Sequence, residues 1–468
     1  MRIAWFAIVL FTMRFAVIGW YYPLHDGDIA WQAFLGKWIL AHHALPHTLG
    51  SETFTAAGAR WIPQEWILGL AVAETLPYGR FVILTLVVAL LGGLALFLTA
   101  VRARMRGATS SVTGLAVLLA GISIAEMFGV RAQIAAWPLL AALLLLLELD
   151  SPWSFAAVPT VALWANIHAS APIAVVFVAV RTIGLALDDR AWSVRFRRSL
   201  AIVVGTFAAL FFTPLTWRLP SLAIALLHSP IRATIQEWQP PDIYTPSWML
   251  GVVPLLALAI VFGVKTGWKD RLLVAAGVAL SVQAIRYLPL AAIVIAPIVV
   301  AALPAALTQR ARRVDILMEG RLGAVLLTIW LIAMTAGAGW QILAIPAAQK
   351  VTLPVRAIAT VAKKSGTRRL FCENFNWCSL ALSYANVRVF VDGRTDTFPR
   401  NVWRDYIAIS RVKPEWNTLA RRYRIDDIVV STSQPLYQAL QNRSDWKRTY
   451  ADARYAVYTR FSAQKRPQ

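Results

Sequence analysis

Two carboxylates separated by one glycine are the residues best suited to chemistry in this sequence. Asp26 and Asp28 follow an apolar stretch that begins at the N-terminus, and a Trp-rich stretch at helical spacing comes after them. Acids at this spacing can share a divalent cation such as Mg²⁺ or Mn²⁺, activate an acceptor hydroxyl, or bind a cationic group. Alternatively, Asp28 is a helix N-cap and Asp26 a solvated loop acid. The position beside an aromatic helix suited to a membrane interface favours a functional role.

Four further candidate residues stand at the ends of apolar stretches. Glu65 and Glu237 are acids beside tryptophan and proline, where an acid is costly unless it is paired, hydrated or functional. Otherwise Glu65 is a surface acid and Glu237 part of a rigid turn. Arg286 could grip phosphate oxygens with its guanidinium fork, or it could extend its charge to the membrane surface. His168 interrupts two apolar runs and is either a hydrogen-bonded packing residue or a ligand for substrate.

The C-terminal part of the chain carries two more candidate groups. Cys372 and Cys378 are close enough in sequence for a small-loop disulfide, which an oxidising compartment would favour. Asp392, Arg394 and Asp396 follow a short β-rich run. Their carboxylates could bind a ligand, but pairing with Arg394 is the interpretation we prefer.

The composition identifies the elements that must position these residues. Of 468 residues, 58% are hydrophobic and 15% charged, against about 45–50% and about 25% in soluble domains. Mean hydropathy is +0.58. These values exclude a soluble enzyme and a disordered chain, and two cysteines exclude a disulfide scaffold. The apolar runs predict a polytopic α-helical membrane protein with about eleven transmembrane helices.

Basic residues predict the orientation and the domains. They concentrate in alternate short loops, as in 102–106 and 195–198, so the N-terminus is expected in the cytoplasm and the C-terminal region outside. We predict a multi-pass protein of the inner (cytoplasmic) membrane. Its transmembrane domain is expected at 1–345, with large outer loops at about 21–79 and 217–247, and an extracytoplasmic α/β domain at 346–468.

Within the C-terminal region, helical and β-rich stretches alternate. Helices are predicted at 355–364, 416–423 and 435–442, and strands at 388–391, 427–431 and 455–461. The formal net charge of the whole chain is +22. Because none of the nucleic-acid-binding motifs is found, membrane lipid is the expected partner for this charge, and nucleic acid is not expected.

This layout resembles the GT-C superfamily of integral-membrane glycosyltransferases, and more closely a bacterial family of GT-C-like polytopic membrane proteins. The resemblance covers nearly the whole chain. The positions that match this family are Asp26, Asp28, Trp31, Gly36, Ile39, Leu40, Pro46, Phe54, Thr55, Gly58, Glu65, Trp66, Asn166, His168, Glu237, Trp238, Arg286, Phe390, Asp392, Gly393, Arg394 and Asp396. The chain departs from the family at Cys378-Ser379, where the family has Gly-Gly.

The resemblance implies transfer of a sugar from a polyprenyl-phosphate-linked donor to an envelope glycan, lipid or protein acceptor on the outer side. Asp26 would then deprotonate the acceptor hydroxyl. Asp28, with Glu65 or Glu237, would hold a divalent cation or orient the acceptor. Arg286 or His168 would neutralise the departing lipid phosphate.

Two other functions stay open on the sequence. The chain could be a non-catalytic scaffold or partner subunit of this fold in envelope polysaccharide assembly, in which case its acids would pair with arginines. It could also be a transporter or flippase, but such proteins use internal repeats and broken helices, and the sequence has no repeat.

Overall fold

The computed structural model describes residues 1–76, 81–189, 193–227, 235–263, 267–344 and 352–461. The chain forms two compact units. The first, here called the helical unit, comprises Met1–Tyr22, Gly79–His228 and Arg232–Pro346. The second, here called the sheet unit, comprises Pro23–Tyr78, Ser229–Ile231 and Ala347–Gln468.

The part of the chain that the structure describes before residue 345 holds fifteen α-helices. They are α1 (Arg2–Tyr21), α2 (Asp28–His42), α3 (Trp66–Thr75), α4 (Phe81–Met105), α5 (Ser110–Ala125), α6 (Gln133–Glu148), α7 (Ala157–Ile167), α8 (Pro172–Asp188), α9 (Val194–Ala209), α10 (Arg218–Leu227), α11 (Val253–Phe262), α12 (Trp268–Ser281), α13 (Leu288–Ala301), α14 (Ala305–Glu319) and α15 (Arg321–Ala344). Of these, α2 and α3 belong to the sheet unit and the others to the helical unit.

Helix α13 forms the centre of the helical unit. It is apolar on every side and buried from Leu288 to Val300, which is typical of a helix surrounded by protein. Helices α4, α5 and α12 pack around it. By contrast, α15 leaves most of its apolar surface exposed, including Ile332 and Trp340, as a helix that faces lipid would.

A buried charge cluster ties three helices of this unit together. Glu148 of α6 accepts from Arg102 at 3.0 Å and from Arg106 at 2.6 Å, and Arg106 also reaches Asp270 of α12 at 2.5 Å. Charges inside helical bundles are expected to pair in this way. Arg102 and Arg106, which the sequence pattern assigned to a loop, therefore hold helix ends together.

Among the residues that the structure describes, three helices are long and apolar enough to cross a membrane: Arg2–Tyr21, Val82–Met105 and Arg321–Ala344. Five shorter apolar helical segments accompany them, and these are Trp66–Thr75, Ser110–Ala125, Gln133–Glu148, Trp248–Phe262 and Ile285–Ala301. The chain is thus a helical protein with membrane-type helices. The count of about eleven spans stays a prediction.

The sheet unit is built on five strands in the order β2-β1-β3-β5-β4. The first three are mutually parallel, and β5 runs antiparallel to both its neighbours. The remaining elements are β1 (Arg368–Cys372), β2 (Val387–Val389), β3 (Asp427–Ser431), β4 (Trp446–Ala451), β5 (Tyr455–Arg460), α16 (Val355–Ala362), α17 (Phe375–Cys378), α18 (Arg400–Ser410), α19 (Trp416–Arg422) and α20 (Pro435–Gln441).

The segment after α1 joins this sheet at its β2 edge. Thr53 pairs in parallel with Val389. The Val389 N–H donates to the Glu52 carbonyl at 2.8 Å, and the Phe54 N–H donates to the Val389 carbonyl at 3.2 Å. These bonds satisfy backbone groups that an edge strand would otherwise leave open.

The predicted division of the chain differs from the structure here. The sequence assigned the loop at about 21–79 to the membrane domain, whereas Pro23–Tyr78 forms one compact unit with Ala347–Gln468. The physical reason is the backbone pairing at the sheet edge, which links positions more than 300 residues apart in sequence. The predicted boundary at 345/346 lies outside the described residues.

Candidate functional site

The Asp26–Asp28 turn begins α2. Asp28 is the first helical residue, and Gly27 is the N-cap without a side-chain cap bond. The Asp28 N–H instead donates to the Asp26 carboxylate at 2.9 Å. Asp28 itself accepts from the Trp31 indole N–H at 3.3 Å. The N-cap of α2 is therefore Gly27 and not Asp28, and each of the two half-buried carboxylates accepts a hydrogen bond within this turn.

The C-terminal segment lies directly against this turn. A Cβ on Gly27 would stand 2.1 Å from the Asn376 carbonyl oxygen. A Cβ on Gly393 would stand 2.6 Å from Trp31 Cδ1 and 2.8 Å from an oxygen of Asp28. Only glycine fits such close approaches. The fold therefore brings the first acidic motif and the Asp-Gly-Arg motif together.

Glu65 stands just before α3, where it is anchored to α2. The Gln32 side-chain amide donates to Glu65 at 2.7 Å, and Gln32 is almost completely buried, with 1% of its surface exposed. The two helices pack so closely that a Cβ on Gly36 would overlap the Gly69 carbonyl. The Glu65 side chain is thus fixed by a hydrogen bond from Gln32, and it lies beside two closely packed helices. No local pattern in the sequence marks Gln32, which lies on the buried face of α2.

Arg394 is the centre of a buried charge cluster. Its guanidinium donates to both oxygens of Asp392, at 2.9 and 2.6 Å, and to Glu52 at 3.0 Å. It also lies over the Trp61 ring, 4.5 Å from the ring centre. The side chains of Asp392 and Arg394 are both fully buried. The preferred interpretation of pairing with Arg394 agrees with the geometry of Asp392.

Asp396 has a raised pKa. Burial raises the pKa of Asp396 to about 6, and the nearby Asp392 carboxylate adds to this shift, while Arg394 opposes it. A carboxyl group with such a pKa can change its protonation state near neutral pH.

Cys372 and Cys378 form a disulfide, with Cα atoms 5.6 Å apart. Both cysteines are buried, at the end of β1 and of α17. The disulfide closes the loop that contains Asn376, the residue whose carbonyl meets Gly27.

A second group of candidate residues lies in the helical unit. Glu237 accepts from Arg131 at 2.5 Å, and Arg286 stands 3.9 Å away. Burial alone would raise the pKa of Glu237, but the two arginines outweigh it and lower the pKa below its usual value. Glu237 is therefore an ionised acid held between two cations. Arg131 lies between α5 and α6, and no local pattern in the sequence marks it as the partner of Glu237.

Arg286 is oriented by two further contacts. It stacks on the Trp238 ring, 4.0 Å from the ring centre, and donates to the Gln133 side chain at 3.2 Å. The Ile285 N–H donates to the Gln239 carbonyl at 3.0 Å. This bond ties the segment after Glu237 to the one that carries Arg286.

His168 ends α7 and is buried. Its Nδ1 lies 2.7 Å from the Ser170 hydroxyl, which also accepts from the Trp164 indole. Arg286 is near enough to interact electrostatically with His168. The helical unit thus collects Arg131, Glu237 and Arg286 with His168 close to Arg286, while Asp26, Asp28 and Glu65 belong to the sheet unit.

The donor set for a metal ion is incomplete on the protein side. Within the part of the chain that the structure describes, no three His, Cys, Asp or Glu side chains gather as a metal site. Asp26 and Asp28 offer two carboxylates. Mg²⁺ is commonly bound by one or two carboxylates with substrate phosphate and water, so the pair fits a cation only if ligand oxygens complete its shell.

Comparison with known proteins gives the fold. No protein-family model and no curated protein sequence matches the chain. Among solved structures, the archaeal oligosaccharyltransferase AglB from Archaeoglobus fulgidus, in complex with an inhibitory peptide and a dolichol-phosphate, is similar with a TM-score of 0.61 and 11% identity, over 99% of this chain and 75% of that chain. ArnT from Cupriavidus metallidurans bound to undecaprenyl phosphate is similar with a TM-score of 0.55 and 14% identity, over 99% of this chain and 98% of that chain.

A third similar structure is the Archaeoglobus fulgidus oligosaccharyltransferase in complex with Zn and sulfate, with a TM-score of 0.54 and 12% identity over 97% of this chain and 73% of that chain. AglB and ArnT are both GT-C membrane glycosyltransferases. At these identities the similarity establishes a shared fold, and the chemistry must be argued from the residues.

Proposed function

We propose that this chain, which has the GT-C fold, is a membrane glycosyltransferase that moves a sugar from a polyprenyl-phosphate-linked donor to an envelope glycan, lipid or protein acceptor. The observation that carries the proposal is the Asp26–Asp28 turn, fixed by its own hydrogen bonds and enclosed by the C-terminal segment. Two similar structures bind a lipid phosphate, dolichol-phosphate in one and undecaprenyl phosphate in the other, which supports a lipid-linked donor.

Asp26 is the proposed general base. Its carboxylate takes the proton from an acceptor hydroxyl as that oxygen bonds to the anomeric carbon of the sugar. The bond between that carbon and the phosphate oxygen breaks, and the polyprenyl phosphate leaves with the electron pair. Asp28, whose side chain is oriented by Trp31, and Glu65, anchored by Gln32, orient the acceptor.

Arg286 and Arg131 are the proposed ligands of the lipid phosphate. A guanidinium binds phosphate oxygens through two parallel hydrogen bonds, and the stack on Trp238 fixes the plane of Arg286. His168 would assist as a neutral hydrogen-bonding group. We assign Glu237 to positioning rather than proton transfer, because its charge is already used to hold both arginines.

A divalent cation, Mg²⁺ or Mn²⁺, would be held by Asp26 and Asp28 and would supply charge neutralisation at the departing phosphate. We further propose that the protein lies in the inner membrane with its N-terminus in the cytoplasm and the Cys372–Cys378 segment outside, as the distribution of basic residues predicts.

Transfer of a radiolabelled sugar tests the proposal. The purified protein in lipid nanodiscs would be offered undecaprenyl-phosphate-linked hexoses and an envelope extract as acceptor. Asp26→Asn is expected to lower the rate by about 10²–10⁴, the usual contribution of a general base. Glu415→Gln, which alters an exposed acid of the same unit, should keep the wild-type rate. Full activity of folded Asp26→Asn would overturn the assignment of the base.

One observation favours a second candidate, a non-catalytic scaffold of this fold. Glu237 is neutralised by arginines, as expected where acids serve structure. A scaffold would transfer no sugar to any acceptor of the extract, and Asp26→Asn would leave its cellular role intact. Transfer by the wild-type protein would exclude it.

A further inference from the structure

Two backbone contacts enclose the acidic turn from the C-terminal side. The Asn376 carbonyl faces Gly27, and the Gly393 backbone faces Trp31 and Asp28, in each case closer than any side chain at the glycine would allow. The contact at Gly393 is made with the same Asp28 oxygen that accepts from the Trp31 indole. The Trp31 indole and the Gly393 backbone therefore both limit the orientation of the Asp28 carboxylate.

The two contacting segments are themselves fixed to one another. Asn376 lies inside the loop that the Cys372–Cys378 disulfide closes. The next residue after this loop, Ser379, accepts from the Gly393 N–H at 3.0 Å and is fully buried. The disulfide-closed segment thus bears on Gly27 directly, and Ser379, the residue that follows it, bears on Asp28 through Gly393.

The residue after Gly393 anchors the other side of the turn. The Arg394 N–H and guanidinium both donate to Asp392, and the guanidinium reaches Glu52. Because these groups are buried and paired, the Asp392–Arg394 turn cannot shift without breaking charge-assisted hydrogen bonds. Gly393 is consequently held between two fixed points.

We propose that Gly393, held by Ser379 next to the disulfide-closed segment 372–378, is a positioning residue that sets the direction of the Asp28 carboxylate for acceptor binding. This inference rests on the proposed function for its effect on catalysis. A misplacement on the order of 1 Å at a reacting group can cost about 10²-fold in rate. A methyl group at Gly393 must displace Asp28 or Trp31 by about that much. Its carbon would stand 2.8 Å from an oxygen of Asp28 and 2.6 Å from Trp31 Cδ1.

The test compares Gly393→Ala with Gly337→Ala. Gly337 lies in α15 with nothing within 4 Å of an added Cβ, so this control adds the same methyl group without a contact. The first measurement needs no substrate: carboxylates are modified with a water-soluble carbodiimide and glycine ethyl ester, and Asp28 is followed by mass spectrometry. Gly393→Ala is expected to change the rate of Asp28 modification by about threefold or more relative to Glu415, with Gly337→Ala at the wild-type rate.

The second measurement separates positioning from a merely structural role. In the transfer assay, Gly393→Ala is expected to lower kcat by about tenfold or more with the KM for the lipid donor unchanged. If Gly393→Ala does not fold, Ser379→Ala is measured in its place. This variant removes the partner of the Gly393 N–H without adding atoms. It should change the rate of Asp28 modification and kcat in the same directions as Gly393→Ala.

The outcomes distinguish the two proposals. If wild-type protein transfers no sugar, the proposed function fails, and the modification rates still decide whether Gly393 orients Asp28. Wild-type modification of Asp28 in the folded variant would overturn the positioning role. So would a wild-type kcat in an active variant.

Discussion

Removing the guanidinium of Arg394 is expected to weaken the sheet unit strongly. Arg394→Met keeps much of the side-chain volume but leaves the Asp392 carboxylate, which is fully buried, without its bidentate partner. Breaking a buried ion pair on one side typically costs about 3–5 kcal/mol, because an uncompensated charge stays in the interior. The stack on Trp61 is lost as well.

Amide hydrogen exchange can measure this cost locally. The opening free energy of β1, read from the exchange of Leu370 and Phe371, should fall by about 3–5 kcal/mol, which corresponds to roughly a hundred- to several-thousand-fold faster exchange. The matched control is Arg404→Met, since the Arg404 side chain is 75% exposed in its pair with Asp405. Its effect should stay within about 0.5 kcal/mol.

A double variant checks the mechanism behind this number. Asp392→Leu combined with Arg394→Met removes both buried charges, so it should be less destabilised than Arg394→Met alone. The reasoning is refuted if Arg394→Met changes the exchange of β1 no more than Arg404→Met does. It is also refuted if the double variant loses as much opening free energy as the two single variants lose together.

Two further predictions concern protonation and topology. Because burial raises the pKa of Asp396 to about 6, the fold favours its protonated form, so its stabilising contribution is complete below about pH 4 and is lost as pH rises through 6. Asp396→Asn should therefore gain up to about 3 kcal/mol in opening free energy relative to wild type between pH 4 and pH 7, measured by exchange of β1. Cys372 and Cys378, which are buried, should react with a membrane-impermeant maleimide added outside spheroplasts only after reduction in a denaturant that exposes them.

Each of these two predictions has a contradicting result. A difference between Asp396→Asn and wild type that does not change with pH would mean that the pKa of this carboxyl group is the same in the folded and the unfolded protein. Labelling of the cysteines only after the cytoplasmic side is opened would reverse the predicted orientation. Labelling without reduction would mean that the disulfide is absent from the protein in the membrane.

The sequence predicts elements best where the pattern is local. The predicted strand at 427–431 coincides with β3, and the predicted helices at 416–423 and 435–442 contain α19 and α20. The strands β1 and β4 were missed. The first begins with two arginines, and the second is an edge strand whose middle residues Lys447–Thr449 are exposed, so neither shows an apolar alternation.

The site was predictable only in part, for a similar reason. Two acids around a glycine are visible as a pattern, and the disulfide follows from the spacing of its cysteines. The contacts of Gly393 with Asp28, and of Arg131 with Glu237, join residues 365 and 106 positions apart. Such partners are chosen by tertiary packing, and a single sequence carries no local signal for them.

Binding of a polyprenyl phosphate tests the central claim most directly. Undecaprenyl phosphate would be added to the purified protein in detergent and the complex measured by native mass spectrometry, with Arg286→Met and the control Arg404→Met beside the wild type. We expect one bound lipid on the wild type and on the control, and an affinity lower by about tenfold or more in Arg286→Met, since a charge-assisted hydrogen bond is worth about 1.5–3 kcal/mol. No bound lipid, or equal binding by Arg286→Met, would contradict it.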